Sequence, residues 1–348
     1  MKKSRTVMAT TKSKRAPRSK AVPVPESAAA AVGGPSAYVP TGRGGRFVLL
    51  SDLHAHTWSA FAKGDGAQNS RLQHSLRILR ESLAHAGVLN VPWVFAGDLV
   101  HTAGYAFNVV LSELTKVFVD FPDVQKLLVW GNHDARGIGG RIDIEQTVLA
   151  SMARTLPNFT VLDPSVTPLW TDPNSGLTFS GAGYQPSADL LTLGPAADVG
   201  VYHQTVKGSQ TPHGIALEEG IAGAELMARH RVVVVGHVHH WQYHNAAKHE
   251  DQLLLIPGSP EHHNFGDAGE HGWWDISVPE RGEPTAKMYL GNSPQFRTVD
   301  NVQGVGHNDG HYYRVRNVQA GEAVPEDAAV VASTPTIVPS RDALRGAR

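Results

Sequence analysis

Five short apolar runs in this chain are each followed closely by Asp, Asn or His, and this repeat constrains the fold most. Phe47-Val48-Leu49-Leu50 leads into Asp52-Leu53-His54, and Val91-Pro92-Trp93-Val94-Phe95 into Gly97-Asp98-Leu99-Val100-His101. Lys126-Leu127-Leu128-Val129-Trp130 leads into Gly131-Asn132-His133-Asp134. Val199-Gly200-Val201-Tyr202 is followed by His203-Gln204, and Val232-Val233-Val234-Val235 by Gly236-His237-Val238-His239. Runs this short, bounded by turn residues, read as buried strands. Helical spacing lies between them: Leu72, Leu76, Leu79 and Leu83 predict a helix over about 70–86, with others over about 105–119, 143–155 and 215–230. Further strands are predicted at Thr178-Phe179-Ser180, Leu253-Leu254-Leu255-Ile256, Trp273-Trp274-Asp275-Ile276 and Ala286-Lys287-Met288-Tyr289-Leu290, and a last one at His311-Tyr312-Tyr313-Arg314-Val315. An order of βαβα followed by mostly β predicts an α/β fold of two packed mixed β-sheets flanked by helices.

In open α/β sheets the carboxyl ends of the strands line the ligand crevice, so five such loops would deliver their polar groups to one rim. Cysteine is absent and histidine numbers 19. Disulfides, thiol nucleophiles and thiolate sites are therefore excluded, and any metal is held by nitrogen and oxygen. Imidazoles suit zinc, iron, nickel or manganese. Asp98 is the candidate bridging carboxylate, and Asn132 a neutral oxygen donor that adds no charge beside a phosphate. If their segments are extended, Asp52 and His54 share one face, as do His237 and His239. Glycines at 97, 131 and 236 permit tight turns and close backbone approach. Taken singly, each cluster reads as well as a loop residue bonded to backbone. Five of them in this order, behind five strands, specify a site.

The ordered blocks from Asp52 to His239 closely resemble those of the calcineurin-like metallophosphoesterases: D-x-H, G-D, G-N-H-D, H and G-H-x-H. The resemblance implies a four-layer α/β/β/α sandwich with two divalent ions, manganese first among the candidates. One ion would be held by Asp52, His54, Asp98 and His239, the other by Asp98, Asn132, His203 and His237. His133 matches the catalytic histidine at the leaving oxygen, and Asp134 a residue that orients a neighbour. His101 either orients His133, binds a substrate phosphate or caps a helix. Within the family, the nuclease branch of SbcD type is favoured. His101 stands where phosphoprotein phosphatases carry a second Asp, Ile256-Pro257-Gly258-Ser259-Pro260-Glu261 resembles the segment after the last metal histidines, and Asn264-Phe265-Gly266 and Gly272-Trp273-Trp274-Asp275-Ile276 resemble its continuation. The expected reaction is phosphodiester hydrolysis, most simply of DNA, by a hydroxide held between the metals. The alternatives are a metallophosphatase for nucleotides or phosphoproteins and a non-catalytic scaffold. An SbcC-type ATPase partner is implied by the family alone; no G-x-x-x-x-G-K-[S/T] loop occurs in this chain.

The formal net charge is −1, yet Lys2, Lys3, Arg5, Lys12, Lys14, Arg15, Arg18 and Lys20 crowd the first twenty residues without an acid. Taking that +8 from −1 leaves −9 for the rest. Residues 1–44 are expected to form a disordered basic tail, either simply solvated or in contact with nucleic acid. Residues 45–295 would form the metallophosphoesterase domain, and 296–348 a short extension with a reduced cap and an irregular tail. His56, Trp58 and Phe61, after the first block, either stack on bases or pin their loop to the core. No apolar run is long enough to span a membrane. A cytoplasmic protein of a bacterial or phage-infected cell is expected, with a homodimer among the candidate assemblies.

Overall fold

The computed structural model describes residues 39 and 41–332, except 103–107, 136–139, 245–250, 268, 307–308, 319–322 and 324–328. The eight basic residues in the first twenty and the last sixteen residues of the chain lie outside these. Thr41 Oγ1 donates to Asp198 Oδ1 at 2.6 Å and Arg43 reaches the Gly176 carbonyl, so the last residues assigned to the tail are tied to the body.

The chain runs β1 (Gly45–Leu50), α1 (Ser70–Leu89), β2 (Trp93–Ala96), α2 (Asn108–Asp120), β3 (Lys126–Val129), α3 (Val148–Thr155) and β4 (Phe159–Val161). It continues through β5 (Trp170–Thr171), β6 (Thr178–Ala182), β7 (Ala197–His203), α4 (Gly223–Met227), β8 (His230–Gly236), β9 (Gln242–Tyr243) and β10 (Leu253–Ile256). The last elements are β11 (Gly272–Val278), β12 (Thr285–Leu290), β13 (Phe296–Val299), β14 (Tyr312–Val315) and β15 (Ala329–Ala332). Two six-stranded sheets have the orders β12-β11-β1-β2-β3-β4 and β5-β6-β7-β8-β10-β9, and a third has β13-β14-β15. In the first, β1 to β4 are parallel and β11 and β12 antiparallel; in the second, β6, β7, β8 and β10 are parallel with antiparallel edges. Both sheets are mixed, as the order of elements predicts.

The period of two along each strand builds the layers. Phe47 and Leu49 of β1, with Val94 and Leu127, pack against Phe179, Val201, Val232 and Val234 of the second sheet. Val48 and Leu50, with Phe95 and Leu128, face the other way onto Leu76, Leu79 and Leu83 of α1 and Leu114 and Phe118 of α2. The outer face of the second sheet carries Tyr202, Val233 and Val235 against Leu226 and Met227 of α4. Two sheets thus lie between helices, with buried apolar side chains on both faces of the central strands.

The predicted helix over about 215–230 shrinks to the five residues of α4. The Leu217 N–H goes to the Ser209 carbonyl and that of Ile221 to Thr205, while Gly220 sits at φ 123°. Amides committed to a facing loop cannot close a helix. The helix predicted over 143–155 is also split: a single 3₁₀ turn at Ile144–Gln146 gives way to extended Thr147 before α3. There Val148 N–H is taken by the Asp134 carbonyl, which anchors α3 to the loop carrying Asn132 and His133. The start of the helix predicted at 105 lies outside the described residues.

Candidate metal centre

All five loops lie at the carboxyl ends of their strands. Asp52, Asp98 and Asn132 follow β1, β2 and β3, neighbours in one sheet; His203 ends β7 and His237 follows β8, neighbours in the other. The Asp52 N–H binds the Gly97 carbonyl at 2.9 Å and His54 N–H the Asp98 carbonyl at 3.0 Å, which sets the first two loops side by side. The extended backbone suggested for Asp52-x-His54 and His237-x-His239 is not how these side chains converge. Asp52, His54, Asp98 and His237 adopt φ of 50°, 47°, 59° and 101°. Left-handed backbone is costly for residues with a Cβ, and it gathers where the surroundings over-determine it. Glycine is required beside them: a Cβ on Gly131 would stand 2.0 Å from Asp98 Oδ1, and one on Gly97 2.2 Å from His203 Nδ1.

The side chains form two groups, each with two buried members and one half-buried histidine. Donor atoms of Asp52, His54 and His239 lie within 4.8 Å of one another, and so do those of Asp98, His203 and His237. Asp98 Oδ2 stands between them, 3.5 Å from His54 Nε2 and 3.3 Å from His203 Nε2. Asn132 Oδ1 is 2.9 Å from His237 Nδ1 and 3.3 Å from His203 Nε2. The residues fit a pair of divalent cations. His54 and His239 turn their Nε2 atoms on each other at 3.0 Å, an arrangement that suits convergence on one ion. His203 Nδ1 donates to the Ala96 carbonyl at 2.7 Å, fixing the ring with Nε2 toward Asp98 and Asn132. Ser51 Oγ donates to Asp52 Oδ2 in the same way.

Electrostatics agree with that fit. Burial, and then the surrounding imidazoles, hold His54 well below the usual histidine range. Burial and neighbouring His203 depress His237 to about 4. Both rings are neutral, as ligation requires. For His203 burial also opposes the charge, but the Asp98 carboxylate, its hydrogen bond and Asp52 outweigh it and raise the group to about 9. A proton there does for Asp98 what a bound cation would do.

His133 and His101 stand beside these groups. His133 packs on His54 with ring centroids 4.7 Å apart and stacks on His101 at 5.1 Å. Its Nδ1 donates to the His101 carbonyl, so Nε2 is the nitrogen left for a substrate. His101 Nδ1 lies 3.4 Å from His54 Nδ1. Asp134, which the resemblance makes a residue that orients a neighbour, binds backbone of the adjoining loops. Its buried carboxylate accepts the N–H groups of Asp98, Leu99, Val100 and Gly131 at 2.8–3.1 Å, which ties the second and third loops together. Two further site residues are not singled out by the sequence. His263 packs on His54 and His239 at 5.1 and 5.2 Å, and Tyr184 on His237 at 5.6 Å. Neither directly follows one of the apolar runs that mark the other loops; only the histidine pair at 262–263, after Gly258-Ser259-Pro260-Glu261, hints at the first.

No curated protein sequence matches the chain at a significant level. Among solved structures, a dimetal phosphatase from Danio rerio aligns over 70% of this chain and 98% of its own, at 11% identity and a TM-score of 0.38. The profile of the family described as calcineurin-like phosphoesterase matches residues 45–254, which hold all seven ligand candidates and His133. The chain belongs to the calcineurin-like phosphoesterase family.

Proposed function

We propose that the protein hydrolyses phosphodiesters at two divalent ions, with DNA as the substrate class and manganese as the metal. Asp52, His54, Asp98 and His239 would hold one ion; Asp98, Asn132, His203 and His237 would hold the other. Bound there, two such ions would supply Lewis acidity toward a phosphoryl group and lower the pKa of a water toward neutral pH, its proton passing to solvent. His133 carries the choice of a diester. With Nδ1 bound to the His101 carbonyl and the ring packed on His54, Nε2 is the nitrogen left to act as a proton donor. Water supplies the new bond to phosphorus, and the bond to the leaving oxygen breaks with its electron pair on that oxygen. His133 protonates that oxygen, which matters most for a sugar alkoxide, a poor leaving group. DNA as the diester rests on the likeness of the 256–261, 264–266 and 272–276 segments to the nuclease branch. Within the first of these segments, the Ser259 N–H bonds the His239 carbonyl at 3.0 Å.

The test is to incubate the manganese-loaded protein with labelled single- and double-stranded DNA, beside an aryl diester and an aryl monoester. DNA cleavage with about two ions per chain is expected, and Asp98→Asn should lose both metal and cleavage. Intact DNA with the monoester turned over faster than the diester would assign a phosphatase instead.

A further inference from the structure

The loop after β1 is braced by a buried guanidinium. Arg71, in the first turn of α1, is only 6% exposed. Its Cζ lies 4.8 Å from the Trp58 ring centroid, 5.1 Å from that of Phe296 and 5.8 Å from that of Tyr312. Its N–H groups reach the Ala60 carbonyl at 3.5 Å and the His263 carbonyl at 3.4 Å. Trp58 lies on His101, centroids 4.2 Å apart, and His101 stacks on His133 with planes 19° apart. Contacts therefore run without a gap from β13 and β14 through Arg71 and Trp58 to the imidazole assigned to the leaving oxygen. Phe61 reinforces the brace. It sits at φ 61°, a conformation that a bulky side chain keeps only where its surroundings enforce it. Its ring stacks on Tyr312 at 5.2 Å and meets Phe265 and Phe296 edge-on.

We propose that Arg71 and Trp58 are positioning residues for His101 and His133, and that the small C-terminal sheet acts on the chemistry through them. The inference rests on the proposed role of His133 as proton donor. A planar guanidinium can lie against several aromatic faces and still donate in its own plane; a lysine ammonium cannot. Trp58 presents a rigid face to His101, and His101 holds His133 through both its ring and its carbonyl. A proton donor must be placed to within a fraction of an ångström, so loosening this support costs turnover while binding persists.

The experiment compares two aryl phosphodiesters, with 4-nitrophenol and phenol as leaving groups, on manganese-loaded wild type, Trp58→Ala, Trp58→Phe and Phe296→Ala. Trp58→Ala and Phe296→Ala should keep about two metals and a near-normal KM. Their kcat should fall on the order of 10–100-fold for the phenyl ester and much less for the nitrophenyl ester, which needs little protonation. Trp58→Phe should recover most of the loss. In a His133→Ala background, Trp58→Ala should add nothing further, since both changes disable one function. Equal losses for both esters, or additivity with His133→Ala, would overturn the proposal and leave Trp58 as packing alone. A His133→Ala protein that is itself indifferent to the leaving group would instead overturn the assigned role of His133. Should Trp58→Ala fail to fold, Phe296→Ala and the milder Trp58→Leu carry the same comparison.

Discussion

Asp98 touches both halves of the ligand set, whereas His133 touches the set without belonging to it, and these two positions separate binding from turnover. His133→Ala is expected to keep the metal content and to lose about 10²–10⁴-fold in turnover of a diester with a poor leaving group. Metal analysis and single-turnover kinetics check the two halves of that statement. Glu261 poses a different question. Its buried carboxyl is pushed up to about 7, chiefly by desolvation, against the pull of the Ser75 hydroxyl and the Arg71 charge. The folded state therefore holds a proton that the unfolded chain gives up near pH 4.5. Stability from this group is present below that pH and is lost as pH rises through about 7. Glu261→Gln should flatten the fall in stability across that window and melt higher than wild type at pH 8, as thermal unfolding at several pH values would show.

At the scale of elements, the strands that carry ligands were legible because each is a fully buried apolar run ending in a polar turn. Apolar runs or helical spacing also marked α1, β6, β10, β11, β12 and β14, whereas other short strands carried no such signal. Strands β4, β13 and β15 have three or four residues each and owe their state to a neighbouring strand rather than to any period of their own. The region before α4 has the composition of a helix, but its amides are spent on the 205–209 loop, a tertiary bond that no local window contains. The same limit hid the left-handed turns at Asp52 and His54, since spacing alone suggested an extended segment. It also hid His263, which follows no apolar run. The sequence offers two roles for Trp58 and Phe61, and their contacts with Arg71, Tyr312 and His101 show that both rings are packed. Lys126 is the polar exception inside β3. Its Nζ donates to the carbonyls of Phe121 and Val124 at 2.7 and 2.8 Å and more weakly to that of Pro157. Lys126→Met keeps the apolar stem but strands these carbonyls. It should lower unfolding free energy by about 1–3 kcal/mol in a denaturant titration, with the ligand loops intact.

For the whole molecule, the two sheets divide the labour: the first supplies Asp52, His54, Asp98 and Asn132, the second His203, His237 and His239. Among the described residues no helix is long and apolar enough to cross a membrane. The eight basic residues at the start of the chain are proposed to raise DNA affinity without touching the chemistry. Deleting residues 1–40 should weaken duplex binding and flatten its salt dependence, the slope falling by about 0.9 for each phosphate that is no longer neutralised. Turnover of a small diester should be unchanged; an unaltered salt slope would count against the arm. The left-handed ligands have one more consequence. Holding Asp52, His54, Asp98 and His237 in that region costs about 1–3 kcal/mol apiece, together a sum comparable with the net stability of an ordinary domain. A chain shaped only to resist heat would place glycine at such positions. His237→Gly, compared with wild type after chelation, is expected to melt at a higher temperature while binding less metal. A lower melting point for the stripped variant would show that the backbone there carries no such burden.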